Sequence, residues 1–186
     1  YWPIVATRPQ PSPEAVTRIS NFMKQGGTII FDTRDALTAR PNGPPSPEQQ
    51  WLRTMLAGVD VPELEPIPRS HVVTKTFYLL ENFVGRTTIG QTWIEALPPD
   101  NADQANRPAR AGDGVSPVII TGNDLAAAWA VDANGRFLTT ASPGGEIQRE
   151  MAFRFGINLV MYALTGNYKT DVVHAPALLQ RLGNER

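Results

Sequence analysis

Apolar positions along this chain recur at helical spacing in some segments and in short unbroken runs in others, and the two kinds of segment alternate. Residues 1–6 (YWPIVA) read as a short strand that Pro3 confines to an edge or an end. Ser12-Pro13-Glu14 combines an N-cap, a proline suited to the first helical position and an acid in the first turn. Val16, Ile19, Phe22 and Met23 follow as one apolar stripe, and Gly26-Gly27 ends that helix. Residues 28–31 (TIIF) then read as a strand buried on both faces, with the polar Asp32-Thr33-Arg34-Asp35 at its carboxyl end.

After a Pro/Gly/Asn-rich loop at 37–46, Ser46-Pro47-Glu48 repeats the helix-start signature. Trp51, Leu52, Met55 and Leu56 form its stripe, and Gly58 closes it. Residues 61–68 hold three prolines and are expected to be extended or looped. Residues 71–80 (HVVTKTFYLL) have the composition of a strand, and 87–97 of another extended stretch. Residues 98–114 are polar and rich in Gly, Pro and Asn, as in a surface loop. Residues 116–121 (SPVIIT) predict a second buried strand ending at Gly122-Asn123-Asp124. Residues 125–131 and 136–140, joined by Asp-Ala-Asn-Gly, predict a hairpin. Ser142-Pro143-Gly144-Gly145-Glu146 opens a long core helix over 146–164 that ends at Thr165-Gly166, and 175–182 predicts a last short helix. Helices alternating with buried strands give an α/β class: a three-layer sandwich on a mostly parallel sheet with an antiparallel edge hairpin.

Composition narrows the chemistry. A length of 186 residues with 41% hydrophobic positions suits a single domain with a sizeable core. Lys+Arg total 17 against 18 Asp+Glu, so there is no cationic excess for nucleic acid. No cysteine is present, which removes thiol nucleophiles, thiolate metal sites and disulfides together. No apolar run approaches the roughly 20 residues of a membrane span. The chain opens at Tyr1 without Met, which leads us to expect a piece of a longer protein.

Several features together carry a resemblance. They are YWP at the start, GGTIIFDTRD, TKTFYLL followed by Gly85-Arg86, DGVSPVIITGND, AAAWA, and REMAFRFGINLVMYALTGNYK with His174 beyond it. In that order they resemble the bacterial domain of unknown function 4159 over nearly the whole chain. The resemblance implies a class I glutamine amidotransferase-like (flavodoxin-like) fold. It also implies a parent protein anchored in the membrane and carrying BatA-like and von Willebrand A-like regions. The first strand and helix of such a fold would lie upstream of Tyr1 or be missing. The domain itself would be soluble, on either side of the membrane.

Candidate site residues follow from the rule that ligands bind beyond the carboxyl ends of parallel strands. Asp32, Arg34 and Asp35 could hold a polar ligand or a divalent ion, or form a structural pair capping a loop. Asn123 and Asp124 end the second buried strand and could face the same cleft, or simply make a turn. Gly144 and Gly145 open the longest helix, where free N–H groups could take an anion, although Glu146 could fill that role. His71 and Lys75 would share one face of the strand at 71–80, with Thr74, Thr76 and Tyr78 on the other, and His71 could serve as a base or make a structural hydrogen bond. Trp2, Trp51, Trp93 and Trp129 could stack on a sugar but sit in apolar runs typical of core, and Asn158 reads as a buried structural amide.

The absent cysteine rules out a glutaminase, and no G-x-S-x-G supplies a serine in its place. Neither a cofactor nor a metal motif is found. The expected function is a non-catalytic domain that binds a small polar ligand, a protein partner or other domains of its parent. The alternatives are a hydrolase built on Asp32, Asp124 and His71 or a metal, and a purely structural module.

Overall fold

The computed structural model describes residues 1–40, 43–96 and 114–166. Five short strands form one mixed sheet: β1 (Trp2–Pro3), β2 (Ile29–Asp32), β3 (Leu64–Pro66), β4 (Thr92–Glu95) and β5 (Val118–Thr121). Their spatial order is β1-β2-β5-β4-β3. β1, β2 and β5 run parallel, with Trp2 beside Phe31 and Ile30 beside Ile119. β4 is antiparallel to β5, with Trp93 opposite Ile120, and β3 is antiparallel to β4.

Both Ser-Pro-Glu segments start helices. Ser12 caps α1 (Pro13–Lys24) by accepting from the Ala15 amide. Ser46 caps α2 (Pro47–Leu56) through a reciprocal capping box with Gln49. The chain leaves α1 through Gly26 at φ 92°, a conformation open to glycine at little cost. The third helix, α3, spans Gly145–Thr165.

Alternation along the central strands sorts side chains onto two faces. Phe31 and Val118 pack with Met23 of α1 and with Leu52 and Met55 of α2. Ile94 and Ile119 pack with Ala152, Phe155, Leu159 and Tyr162 of α3. The sheet is thus sandwiched between α1 and α2 on one face and α3 on the other.

Three expectations need correction. Two of the four strand pairings are parallel, so the sheet is mixed rather than mostly parallel. Residues 71–80 do not form a strand: Val72–Thr74 is a 3-10 turn. The Thr74 hydroxyl donates to the His71 carbonyl at 2.7 Å, and the Thr76 hydroxyl to the Val72 carbonyl at 3.0 Å. Such local bonds compete with a sheet ladder and win here. The predicted hairpin shrinks to one bridge, Val131 with Phe137, around a turn built on the Asp132 carboxylate. The alanines before it form a 3-10 turn, Ala126–Ala128, in keeping with their helical preference. The antiparallel edge is made instead by β4 and β3. The helix expected at 175–182 and most of the loop expected at 98–114 lie outside the described residues.

Candidate functional site

At the carboxyl ends of β2 and β5 the backbone turns sharply, and one carboxylate organises both turns. Asp32, the last residue of β2, is fully buried. Its Oδ1 accepts the Arg34 amide at 3.0 Å and the Asp124 amide at 3.2 Å. Its Oδ2 accepts the Leu125 amide at 2.6 Å and the Tyr1 hydroxyl at 2.7 Å. Arg34 and Asp124, at φ 55° and 54°, are the non-glycine residues with positive φ among the described ones. Both left-handed residues therefore donate to the same carboxylate, which offsets part of their conformational cost. Burial raises the Asp32 pKa above its ordinary value, against the opposing pull of these four donors.

The neighbouring polar groups are also committed. The Asp35 carboxylate accepts from the hydroxyls of Thr33 and Ser46, which ties the N-terminus of α2 to the end of β2. Asp124 pairs with Arg86 at 2.7 Å. The Arg34 guanidinium donates to the Ile4 carbonyl. The Asn123 side chain is buried and donates to the carbonyls of Phe83 and Gly90, both at 2.8 Å. Its oxygen accepts from the Gly90 amide at 2.8 Å and the Thr87 hydroxyl at 3.1 Å. Asn123 thereby holds residues 83–90 against the end of β5. Gly85 lies so close that an added Cβ would fall 2.4 Å from the Asn123 carbonyl oxygen.

His71 stands at the far end of the sheet. Its Nδ1 accepts the Val73 amide, capping the 3-10 turn, and its ring meets Tyr162 edge-on at 5.5 Å. The Tyr162 hydroxyl in turn accepts the Ser116 amide, just before β5 begins. His71 therefore belongs to the amino end of β5, whereas Asp32 and Asp124 gather at its carboxyl end. Lys75 is exposed while His71 is buried, so the pair does not share a strand face. The Gly144 amide donates to the Gln148 side chain at 2.9 Å, and the Gly145 amide to the Ala141 carbonyl at 3.1 Å. Asn158 is buried and bonds the backbone of Val73 and Tyr78. His174 lies outside the described residues.

The open space lies beside this network. A cleft of about 560 Å³ runs between α2 and the sheet at the carboxyl end of β5. Its wall from α2 is a single stripe, Gln49, Leu52, Arg53 and Leu56. Leu64, Ile120 and Trp93 form the sheet side, Ile89 and Gln91 one rim, and Arg40 another. Trp93, placed among core tryptophans by its apolar run, is instead 40% exposed and forms part of this lining. Neither Arg40 nor Arg53 pairs with a carboxylate among the described residues. The cleft is thus mainly apolar, with two available cations.

The sequence profile of a domain of unknown function, DUF4159, matches residues 1–164. The chain belongs to the DUF4159 family. No curated protein matches it.

The chemistry open to this DUF4159 domain follows from the geometry. Asp32, Asp35 and Asn123 spend their polar atoms on the fold and have little left for a ligand. No group of three or more potential metal ligands occurs among the described residues. One catalytic-looking feature does emerge. Gly122-Asn123-Asp124-Leu125-Ala126 leads from a strand through a left-handed residue into a helical turn, the backbone course of a nucleophile elbow with an acid at its centre. Its carboxylate, however, faces Arg86, and His71 is at the other end of the strand.

Among the residues of the DUF4159 cleft that were not singled out beforehand are Arg40, Gln49, Arg53, Leu64, Ile89 and Gln91. The α2 stripe was within reach: positions 49, 52, 53 and 56 share one helical face. Tyr1 was also missed, because nothing in the sequence pairs a leading tyrosine with Asp32.

Proposed function

We propose that this domain is a non-catalytic recognition module whose ligand is a small amphipathic anion, bound in the cleft between α2 and the sheet. The observation that carries the reading is the pairing of an apolar lining, Leu56, Leu64, Ile120 and Trp93, with two arginines that have no acidic partner among the described residues. An apolar body would displace water from the lining, while Arg40 and Arg53 would take the anionic group. The position agrees with the general placement of ligands beyond the carboxyl ends of parallel strands.

The same proposal retains a class I amidotransferase-like scaffold and a membrane-anchored parent protein. Support for the scaffold comes from the parallel β1, β2 and β5 with helices on both faces. Among the described residues no helix is long and apolar enough to cross a membrane.

The test is thermal unfolding against medium-chain and aryl carboxylates and phosphates, each beside its neutral counterpart. The reading expects a raised midpoint with the anions, larger than with the neutral compounds, because a ligand of the native state stabilises it. Shifts that are absent with the anions, or no larger than with their neutral counterparts, would overturn it. Turnover of an ester or amide that Asp124→Asn abolishes would favour the elbow at Asp124 and a hydrolase.

A further inference from the structure

We infer that the apolar body of the cleft's ligand is a flat aromatic ring seated against the indole of Trp93, so that the ligand class is the aryl acid; this rests on the anion-binding reading above and narrows it. Strand alternation accounts for the place of Trp93. Thr92 and Ile94 are buried on one face of β4, and Trp93 between them lies on the face that lines the cleft. Its cross-strand neighbours are Pro66 on β3 and Ile120 on β5. Leu52 and Leu56, one turn apart on α2, line the cleft from the helix side. The result is a slot of about 560 Å³ with an apolar wall on each side, a size ordinary for small-molecule sites.

Trp93 differs from the other tryptophans of the chain. Trp2 packs on Phe31 and Trp51, with ring centroids 5.8 and 6.2 Å away, and Trp129 stacks on Phe153 at 6.1 Å. Trp51 donates its indole N–H to the Arg8 carbonyl. Among the described residues the Trp93 ring has no aromatic partner and its indole N–H no acceptor, and the residue is 40% exposed. A ring with an open face is suited to an offset or edge-on aromatic partner, which attracts it beyond what burial of area alone supplies. A saturated chain gains from area only, and it loses rotamer freedom when it binds. The rim of the slot favours a rigid body for the same reason. Ile89, 67% exposed, sits beside Gly90, whose amide and carbonyl are both held by the Asn123 side chain. A rim fixed in this way rewards a ligand whose shape is set before it binds.

The test is calorimetric titration of the full chain with naphthoate and with its saturated counterpart, decahydronaphthoate, repeated on Trp93→Leu and Trp93→Phe. Both acids carry the same anionic group on the same carbon skeleton, so each variant is judged by its effect on one acid relative to the other. Trp93→Leu is expected to weaken naphthoate by about fivefold and to leave decahydronaphthoate nearly unchanged, while Trp93→Phe retains most of the naphthoate affinity. Unchanged decahydronaphthoate binding also shows that the variant is folded. In the unaltered chain the Trp93 indole N–H resonance, identified by its loss in Trp93→Phe, is expected to move markedly with naphthoate and little with decahydronaphthoate. Equal losses for both acids in Trp93→Leu, or no loss for either, would overturn the aromatic preference and leave the anion site standing. Binding of neither acid to the unaltered chain would overturn the preference together with the reading of the cleft beneath it.

Discussion

The hydroxyl of Tyr1 donates a 2.7 Å hydrogen bond to the carboxylate of Asp32, and the same hydroxyl accepts the Ala126 amide at 3.3 Å. The first residue of the chain thus joins the end of β2 to the turn that follows β5. The contact is electrostatic as well as structural, since each group alters the proton affinity of the other.

Loss of the acceptor should be costly. In Asp32→Ala the buried Leu125 amide and the Arg34 and Asp124 amides lose their partner together. An unsatisfied buried donor costs about 1–3 kcal/mol, so the loss expected is on the order of 3 kcal/mol or more in urea unfolding. The two left-handed residues would lose their support as well. A change within about 0.5 kcal/mol, typical of surface substitutions, would contradict the role given to Asp32.

The Tyr1 phenol gives the pH dependence. Burial, and then the Asp32 charge, push its pKa well above the ordinary value of 10.0. The folded state therefore holds this proton more tightly than the unfolded state. Its contribution is fully present below pH 10 and declines as pH rises above it, because the unfolded chain releases the proton first. Tyr1→Phe should be less stable than the parent at pH 7, and the gap should narrow between pH 10 and 11. A gap that stays constant or widens over that interval would count against the shared proton.

Asn123 should behave as a clamp. Asn123→Ala removes the partners of the Gly90 amide and of the Phe83 and Gly90 carbonyls. A destabilisation of about 2–4 kcal/mol is expected from the unsatisfied backbone groups. Amide hydrogen exchange at Gly90 should rise by more than global unfolding explains, while exchange in α1 should follow the global change. Uniform acceleration everywhere would argue against a local clamp.

Much of the frame was legible because its signals are local. Each Ser-Pro-Glu start sets a cap and a helical turn within four residues, and both helices appear where the pattern put them. TIIF and VIIT can bury both faces only as central strands, which is where β2 and β5 lie. The failures came where side chains chose local backbone partners over a ladder, as with Thr74 and Thr76, or where a distant carboxylate captured the backbone, as Asp32 captures Leu125. Asp32, Asn123 and Asp124 were recognised as strand-end residues, but apart from the Arg34 amide the side-chain partners that occupy them lie 31 to 93 positions away. The cleft was less legible still. It needs α2, β4 and the segment carrying Arg40 to meet, and nothing local to Trp93 separates an exposed tryptophan from a core one.

The central claim is that the cleft binds an amphipathic anion through Arg40 and Arg53. The measurement that tests it most directly is calorimetric titration of the protein with octanoate and with octanol, repeated on Arg40→Gln and Arg53→Gln. The account predicts that octanoate binds more tightly than octanol. It also predicts that each substitution weakens octanoate by about tenfold, equivalent to about 1.4 kcal/mol, and leaves octanol nearly unchanged. Octanoate binding that is absent, or that is indifferent to both arginines, would contradict it.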